Sequence, residues 1–387
     1  MNSEFRLSKS ALAFLFSVVI SPCAVFAQHY TQTNLVSDVV GAAAVHDPSL
    51  VNPWGLTRSA TSPWWVSNNN SGTSTLYNGT GQIVPINGNG IVTIPPPKNA
   101  PAGTVAAPTG IVFNGSTDFV LPAPNSKPAA FIFATEDGTI SGWNGGPAAV
   151  LAVDNNDNGS ADGAVYKGAT SADINGKRFL YVTNFRAGRV EVYDTNFKAV
   201  NLPGDAFDPA ADGEHDGDDD HGGQRIPAGF APFNIQNIGG SLFVTYAKQN
   251  AQRHDDVPGD GNGFVEIFTP SGKHIGHLEH GSWLNSPWGV VWTPRDFGEF
   301  SNTILVGNFR SGWIAAFNGF THKFIGFVKN TDDSILTIDG LWSLTFGNGA
   351  TAGPANTLFF SSGPAEEMHG LFGTLTAVAA EQDGDEE

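Results

Sequence analysis

Residues 181–194 read YVTNFRAGRVEVYD, and residues 305–318 read LVGNFRSGWIAAFN. In each, an apolar run stops at Asn-Phe-Arg-x-Gly, and a second run then closes on an aromatic and a polar residue. Two strand-like runs broken by a glycine-containing turn predict a β-hairpin. Looser versions start at Trp64 (WWVSNNNSGTSTLYN), Phe131 (FIFATEDGTISGWN), Leu242 (LFVTYAKQN, with GFVEIFTP after it) and Thr357 (TLFFSSGPAEEMHGLFGTLT).

A short strand with its own signature precedes every hairpin. These are NPWGL at Asn52, APTGIVF at Ala107, KGATSADI at Lys167, APFNIQNI at Ala231, SPWGVVW at Ser286 and GLWSLTF at Gly340, roughly 55 to 65 residues apart. A small antiparallel sheet repeated six times at this period predicts an all-β fold, a six-bladed β-propeller. Each sheet has two apolar faces and buries both only between neighbours in a ring. A sandwich gives no reason for six matching units, and a β-helix needs a shorter period. The strand-like HYTQTNLVSDVV, from His29, precedes the first unit, while the last runs out after Leu375. The N-terminal strand is therefore expected to close the last blade, which removes an exposed edge.

Composition agrees with that reading. Gly at 47, Pro at 24 and Phe at 28 suit short strands joined by many turns. Residues 1–27 read as a secretory signal peptide: Arg6 and Lys9 precede the apolar run from Ala11 to Ile20, and Val25 and Ala27 flank a small-residue cut. Cleavage there removes Cys23, the only cysteine, so the expected mature chain relies on its core rather than on disulfides. Residues 28–378 are expected to form one propeller, with an acidic insertion at 203–226 and an acidic tail at 379–387. The chain carries a net charge of −18, and loss of the leader makes it one charge more acidic. Such a surface repels phosphate backbones and anionic lipid. Nucleic acid and stable membrane insertion are thus unexpected. A secreted or periplasmic monomer that engages a cation, a small molecule, a carbohydrate or a protein fits the charge.

NPWGL, the two NFR hairpins, APFNIQNIGG, YAKQN, HDDVPGDGNGFV and LFFSSGPAEEMHGLFG together resemble an uncharacterised family of exported bacterial proteins. Its members are taken to be six-bladed propellers, distantly similar to NHL-repeat and gluconolactonase-like folds. The resemblance covers nearly the whole mature chain and implies fold and export more than chemistry. Gluconolactonase-like propellers hold a cation with an axial Glu, Asn, Asn, Asp set. Glu136, Asn184 and Asn308 match part of it, and the Asp has no clear counterpart.

Up-and-down blades place the start of the first strand and the end of the second at one mouth of the channel. Four acidic segments are expected there: DNNDNGSADG from Asp154, GDAFDPAADGEHDGDDDHGG from Gly204, HDDVPGDGNG from His254 and GPAEEMHG from Gly363. The second strands end in a candidate ligand ring of Asn68, Glu136, Asn184, Tyr246, Asn308 and Ser362. Carboxylate and amide oxygens at such a mouth suit a hard cation, calcium before magnesium. The competing reading is local, because Asn beside a hairpin glycine tolerates left-handed geometry and bonds its own turn.

Asp154, Asn156 and Asn158 match the opening of an EF-hand calcium loop, but Val165 stands where the closing Glu belongs. His254, Asp255 and Asp256 suit metal binding or general-base catalysis, and Glu366, Glu367 and His369 offer a second such set. Solvated loop residues are the ordinary alternative for both. No Gly-x-Ser-x-Gly stretch supports a nucleophile. Trp54, Trp288 and Trp342 suit packing between blades or a platform for sugar rings. Two function classes follow: a cation- or ligand-binding propeller, and a metal-dependent hydrolase or lactonase.

Overall fold

The computed structural model describes residues 29–378 except 87, 157–162 and 210–225. The segment expected to be a signal peptide, Asn158, most of the expected acidic insertion and residues 379–387 therefore lie outside the described residues.

Strands β1 (Tyr30–Ser37) and β2 (Val45–His46) open the chain and belong to its last sheet. Five four-stranded sheets follow. The first holds β3 (Pro53–Thr57), β4 (Trp64–Asn68), β5 (Thr73–Tyr77) and β6 (Ile91–Thr93). The second holds β7 (Pro108–Phe113), β8 (Phe131–Thr135), β9 (Thr139–Trp143) and β10 (Val150–Asp154). The third holds β11 (Tyr166–Ile174), β12 (Lys177–Asn184), β13 (Arg189–Tyr193) and β14 (Ala199–Val200). The fourth holds β15 (Phe230–Ile238), β16 (Ser241–Lys248), β17 (Gly263–Phe268) and β18 (His274–His277). The fifth holds β19 (Pro287–Trp292), β20 (Thr303–Asn308), β21 (Ile314–Asn318) and β22 (Phe324–Phe327). In the sixth, β23 (Leu341–Phe346), β24 (Leu358–Ser362) and β25 (Leu371–Ala377) are completed by β1, with β2 parallel beyond it.

Each first strand packs on the next, from β3 through β7, β11, β15 and β19 to β23, and β23 returns to β3. The ring is closed, and the protein is a six-bladed propeller. The two opening segments are the β12–β13 and β20–β21 hairpins of alternate blades. Their turns need Gly188 and Gly312, at φ 67° and 70°, where a side chain would be strained.

Burial follows the same plan. Six apolar clusters fill the six spaces between adjacent blades, and a seventh lies on the axis. Neighbouring first strands approach closely at one position, which explains the glycine in PWG, PTG, YKG and PWG, while the fourth and sixth blades carry Asn234 and Ser343 there. A Cβ on Gly168 would lie 2.2 Å from Asn234 Oδ1, and one on Gly110 would lie 2.4 Å from the Ala169 nitrogen.

Closure is antiparallel, with Tyr30 opposite Ala377 and Ser37 opposite Leu371. Tyr30 is buried, stacks near Phe297 and Phe300, and donates its hydroxyl to the Phe297 carbonyl at 2.9 Å. Tyr30→Phe keeps the ring but strands that carbonyl. An expected loss of about 1–3 kcal/mol in urea unfolding measures how firmly the closing strand is held.

Candidate functional site at the axial mouth

One residue near the start of each first strand points to the axis, the second in five of them and the fourth in β15. In order around the ring these residues are Trp54, Thr109, Lys167, Phe233, Trp288 and Trp342. Residues from separate blades meet there: Trp54 stacks on Trp342 at 3.6 Å and lies 6.2 Å from Trp288, and Phe309 stacks on Trp342 at 3.8 Å. The channel is thus plugged by aromatic rings, and the tryptophans take the packing role. Lys167 breaks the pattern. It is a single ammonium in an otherwise uncharged ring, lying 5.1 Å over Trp54 and 5.7 Å over Phe185.

Lys167 is fully buried, and its Nζ is paired with Glu136 Oε1 and lies 3.7 Å from Asp255 Oδ1. Burial alone would lower its pKa, but Glu136 and Asp255 outweigh that and raise it, so the group is an ammonium. The second Glu136 oxygen accepts from Asn69 Nδ2 at 2.8 Å. Asp255 is held at a pKa of about 2, chiefly by His254 Nδ1 at 2.7 Å and, against partial burial, by Lys167. Asp256 is buried and takes a two-pronged pair from Arg310 at 2.7 and 2.8 Å. Asn52 donates to Glu367 at 2.7 Å and accepts from Trp342 Nε1 at 3.0 Å. Burial, then the nearby Glu136, raises the Glu367 pKa.

All six blades contribute to this cluster. The last does so through strained backbone: Ala365, Glu366 and Glu367 are consecutively left-handed, at φ 56°, 55° and 66°. Such residues cost of order 1 kcal/mol each and persist where surrounding contacts fix them.

The structure sorts the expected residues. Glu136, Asp255, Asp256 and Glu367 gather at the mouth, with His254 beside Asp255 and Glu366 4.0 Å from Arg310. Asn68, Asn184 and Asn308 do not join them. Asn68 donates to Thr73 and Thr75, Asn184 donates to Glu191 and accepts from Ala187, and Asn308 donates to Trp283 and Trp313. Tyr246 and Ser362 are buried, and their hydroxyls lack partners among the described residues.

The reason is register. Asn68, Thr135, Asn184, Tyr246, Asn308 and Ser362 pair with the first strands and present their side chains to neighbouring blades. One residue later, at Asn69, Glu136, Phe185, Ala247, Phe309 and Gly363, the direction reverses. Of these, Phe185, Ala247 and Phe309 join the axial cluster, and Asn69 bonds Glu136. Glu136 belongs to this second set.

The other candidates have local partners. Asp154 accepts from the Lys98 and Asn156 backbones, and Asn156 donates to the Asp137 carbonyl. His369 Nδ1 lies 3.0 Å from Asp38 Oδ2. Arg186 donates to the Gly163 carbonyl. The described start of the acidic insertion runs to Gly272, in the β17–β18 turn, where Phe207 donates its N–H. That turn lies at the end of the blade opposite the mouth. Sequence reading passed over Lys167, although a lysine at the position filled by tryptophan in three other blades was the visible signal.

No family model matches the chain. Two uncharacterized proteins of Acanthamoeba polyphaga mimivirus are each 28% identical to it, over 352 and 351 residues. Both matches span 88% of this chain, and they cover 78% and 84% of the viral proteins. These relatives are viral, whereas the motif resemblance pointed to bacterial proteins. Among solved structures, virginiamycin B lyase from Staphylococcus aureus is similar at 11% identity and a TM-score of 0.42, covering 90% of this chain and 99% of the lyase. A protein of unknown function from Bacteroides thetaiotaomicron is similar at 9% identity and 0.49, covering 90% and 76%. Likenesses of this size leave the activity open.

Proposed function

We propose that the protein is an exported binding propeller whose mouth takes a positively charged ligand, an amine-bearing small molecule or a basic protein segment. The observation that carries this is the charge balance at the mouth. Lys167 and Arg310 are both spent on Glu136 and Asp256, which leaves Asp255 and Glu366 with side chains 56% and 90% exposed. Surplus carboxylates above an aromatic floor favour a cation and steer its approach.

A second reading has one observation in its favour. Ligand atoms of Glu136, His254 and Asp255 lie within 4.8 Å of one another, as a metal-dependent hydrolase would need. Against it, the Lys167 ammonium already pairs with Glu136, the more buried carboxylate of the three, and Asn184 and Asn308 are engaged in their own hairpins. The mouth works without calcium in the binding reading.

Tryptophan fluorescence should follow binding, because Trp54 and Trp342 form the floor. Spermidine and a lysine-rich decapeptide are expected to bind at low salt and to be released as salt rises. The double variant Asp255→Asn, Glu366→Gln should weaken both about 10-fold, as two exposed ion pairs allow. Equal binding by the variant would refute the proposal. A calcium-dependent rise in melting temperature, lost in the same variant, would favour the hydrolase reading.

A further inference from the structure

The fourth and fifth blades carry the same short motif with different chemistry. Residues 273–278 read KHIGHL and residues 323–328 read KFIGFV. In the fifth blade, Ala315 pairs with Phe327, Ala316 with Gly326 and Phe317 with Phe324, leaving Ile325 unpaired as a bulge. In the fourth, Glu266 pairs with His277, Ile267 with Gly276 and Phe268 with His274, leaving Ile275 unpaired. The backbones agree, with Gly276 at φ 157° and Gly326 at φ 154°.

The bulge has a chemical consequence. In a regular strand, residues three apart face opposite ways. One extra residue turns both onto one face, which is how bulges re-aim side chains. In the fifth blade the shared face is apolar, and Phe324 meets Phe327 edge-on at 5.1 Å. In the fourth, all three positions change together, Ala to Glu and both Phe to His.

That exchange puts a carboxylate and two imidazoles where the fifth blade is apolar. Glu266 is 4% exposed and forms no ion pair with lysine or arginine among the described residues. His274 Nε2 lies 2.7 Å from Glu266 Oε2, and one ligand atom from each of Glu266, His274 and His277 lies within 4.8 Å of the others. On the same face, Tyr246 sits opposite Phe264, two residues from Glu266. Its buried hydroxyl has no partner among the described residues.

We propose that Glu266, His274 and His277 form a binding site for a late first-row divalent ion of the zinc type. Two imidazole nitrogens and one carboxylate oxygen suit zinc, cobalt or nickel rather than calcium, which prefers all-oxygen cages. Three protein ligands leave coordination positions for water, and Tyr246 shares the face of Glu266 as the candidate outer-shell partner. The site lies on the outer strands of the fourth blade, apart from the axial mouth.

Cobalt(II) tests this, because its visible absorption reports coordination and zinc competes for the same ligands. Full-length protein stripped with chelator should bind one equivalent with a visible band that zinc abolishes. The triple variant Glu266→Ala, His274→Phe, His277→Phe copies the fifth blade. It should keep the wild-type circular dichroism and lose the band. His274→Gln alone should bind at least about 100-fold more weakly, and His254→Ala with Asp255→Ala should leave the band intact. No stoichiometric binding, binding unchanged in the triple variant, or binding lost only in the mouth variant would overturn the proposal.

Discussion

A Lys167→Met variant is expected to unfold about 3–5 kcal/mol more easily than the native protein. Methionine fills similar volume, so the loss comes from charge. Glu136 would keep a largely buried carboxylate with Asn69 as its remaining donor, and Asp255 would lose its nearby cation. Urea unfolding at pH 7 measures the effect. The pH dependence has a definite sign. Because the folded Lys167 pKa is raised, its contribution is complete below the unfolded lysine value of about 10.4 and fades as pH rises through the folded one. Asp255 behaves oppositely: its contribution is present above the unfolded value of about 3.9 and fades as pH falls towards 2. Half-exposed as it is, Asp255 should contribute less than about 1 kcal/mol. The variant should therefore lose the alkaline limb of the profile and keep most of the acid one.

Trp342→Ala should cost a similar amount, about 3–5 kcal/mol, from the other half of the same structure. Trp342 stacks on Trp54 and Phe309 and gives its indole N–H to Asn52, which in turn holds Glu367. Truncation opens a cavity on the axis and frees a carboxylate at the mouth. Trp342→Phe separates the two effects. It keeps most of the apolar contact but loses the N–H, for an expected cost of about 1–2 kcal/mol. Chemical denaturation with near-ultraviolet circular dichroism distinguishes these variants, because the stacked indoles dominate that signal.

The fold was legible because its information is local and repeated. Asn-Phe-Arg-x-Gly names a hairpin at both places where it occurs, and six looser copies of the whole unit leave few architectures other than a ring. The closing role of His29 to Ser37 followed from arithmetic, since the last blade was one strand short. The mouth was less legible, and the failure has one physical cause. Strand side chains alternate, so a ring chosen one residue early, at Asn184 and Asn308 rather than Phe185 and Phe309, faces the neighbouring blades. Lys167 was hidden differently. Its charge has meaning only beside Glu136 and Asp255, which come from other blades and lie 31 and 88 residues away. The Glu266, His274 and His277 set needs the bulge at Ile275 to share a face, and an alternating pattern cannot show a bulge. Its signal was comparative: HIGH against FIGF at matching points of two blades.

The account rests on a buried ammonium that joins carboxylates of different blades at one opening. A double-mutant cycle of Lys167→Met and Glu136→Gln, read by urea unfolding at pH 7, tests it most directly. The expected result is a coupling of about 2 kcal/mol or more, with the double variant more stable than Lys167→Met alone. Effects that add to within about 0.5 kcal/mol would mean that the two side chains do not meet, and would contradict the mouth described above.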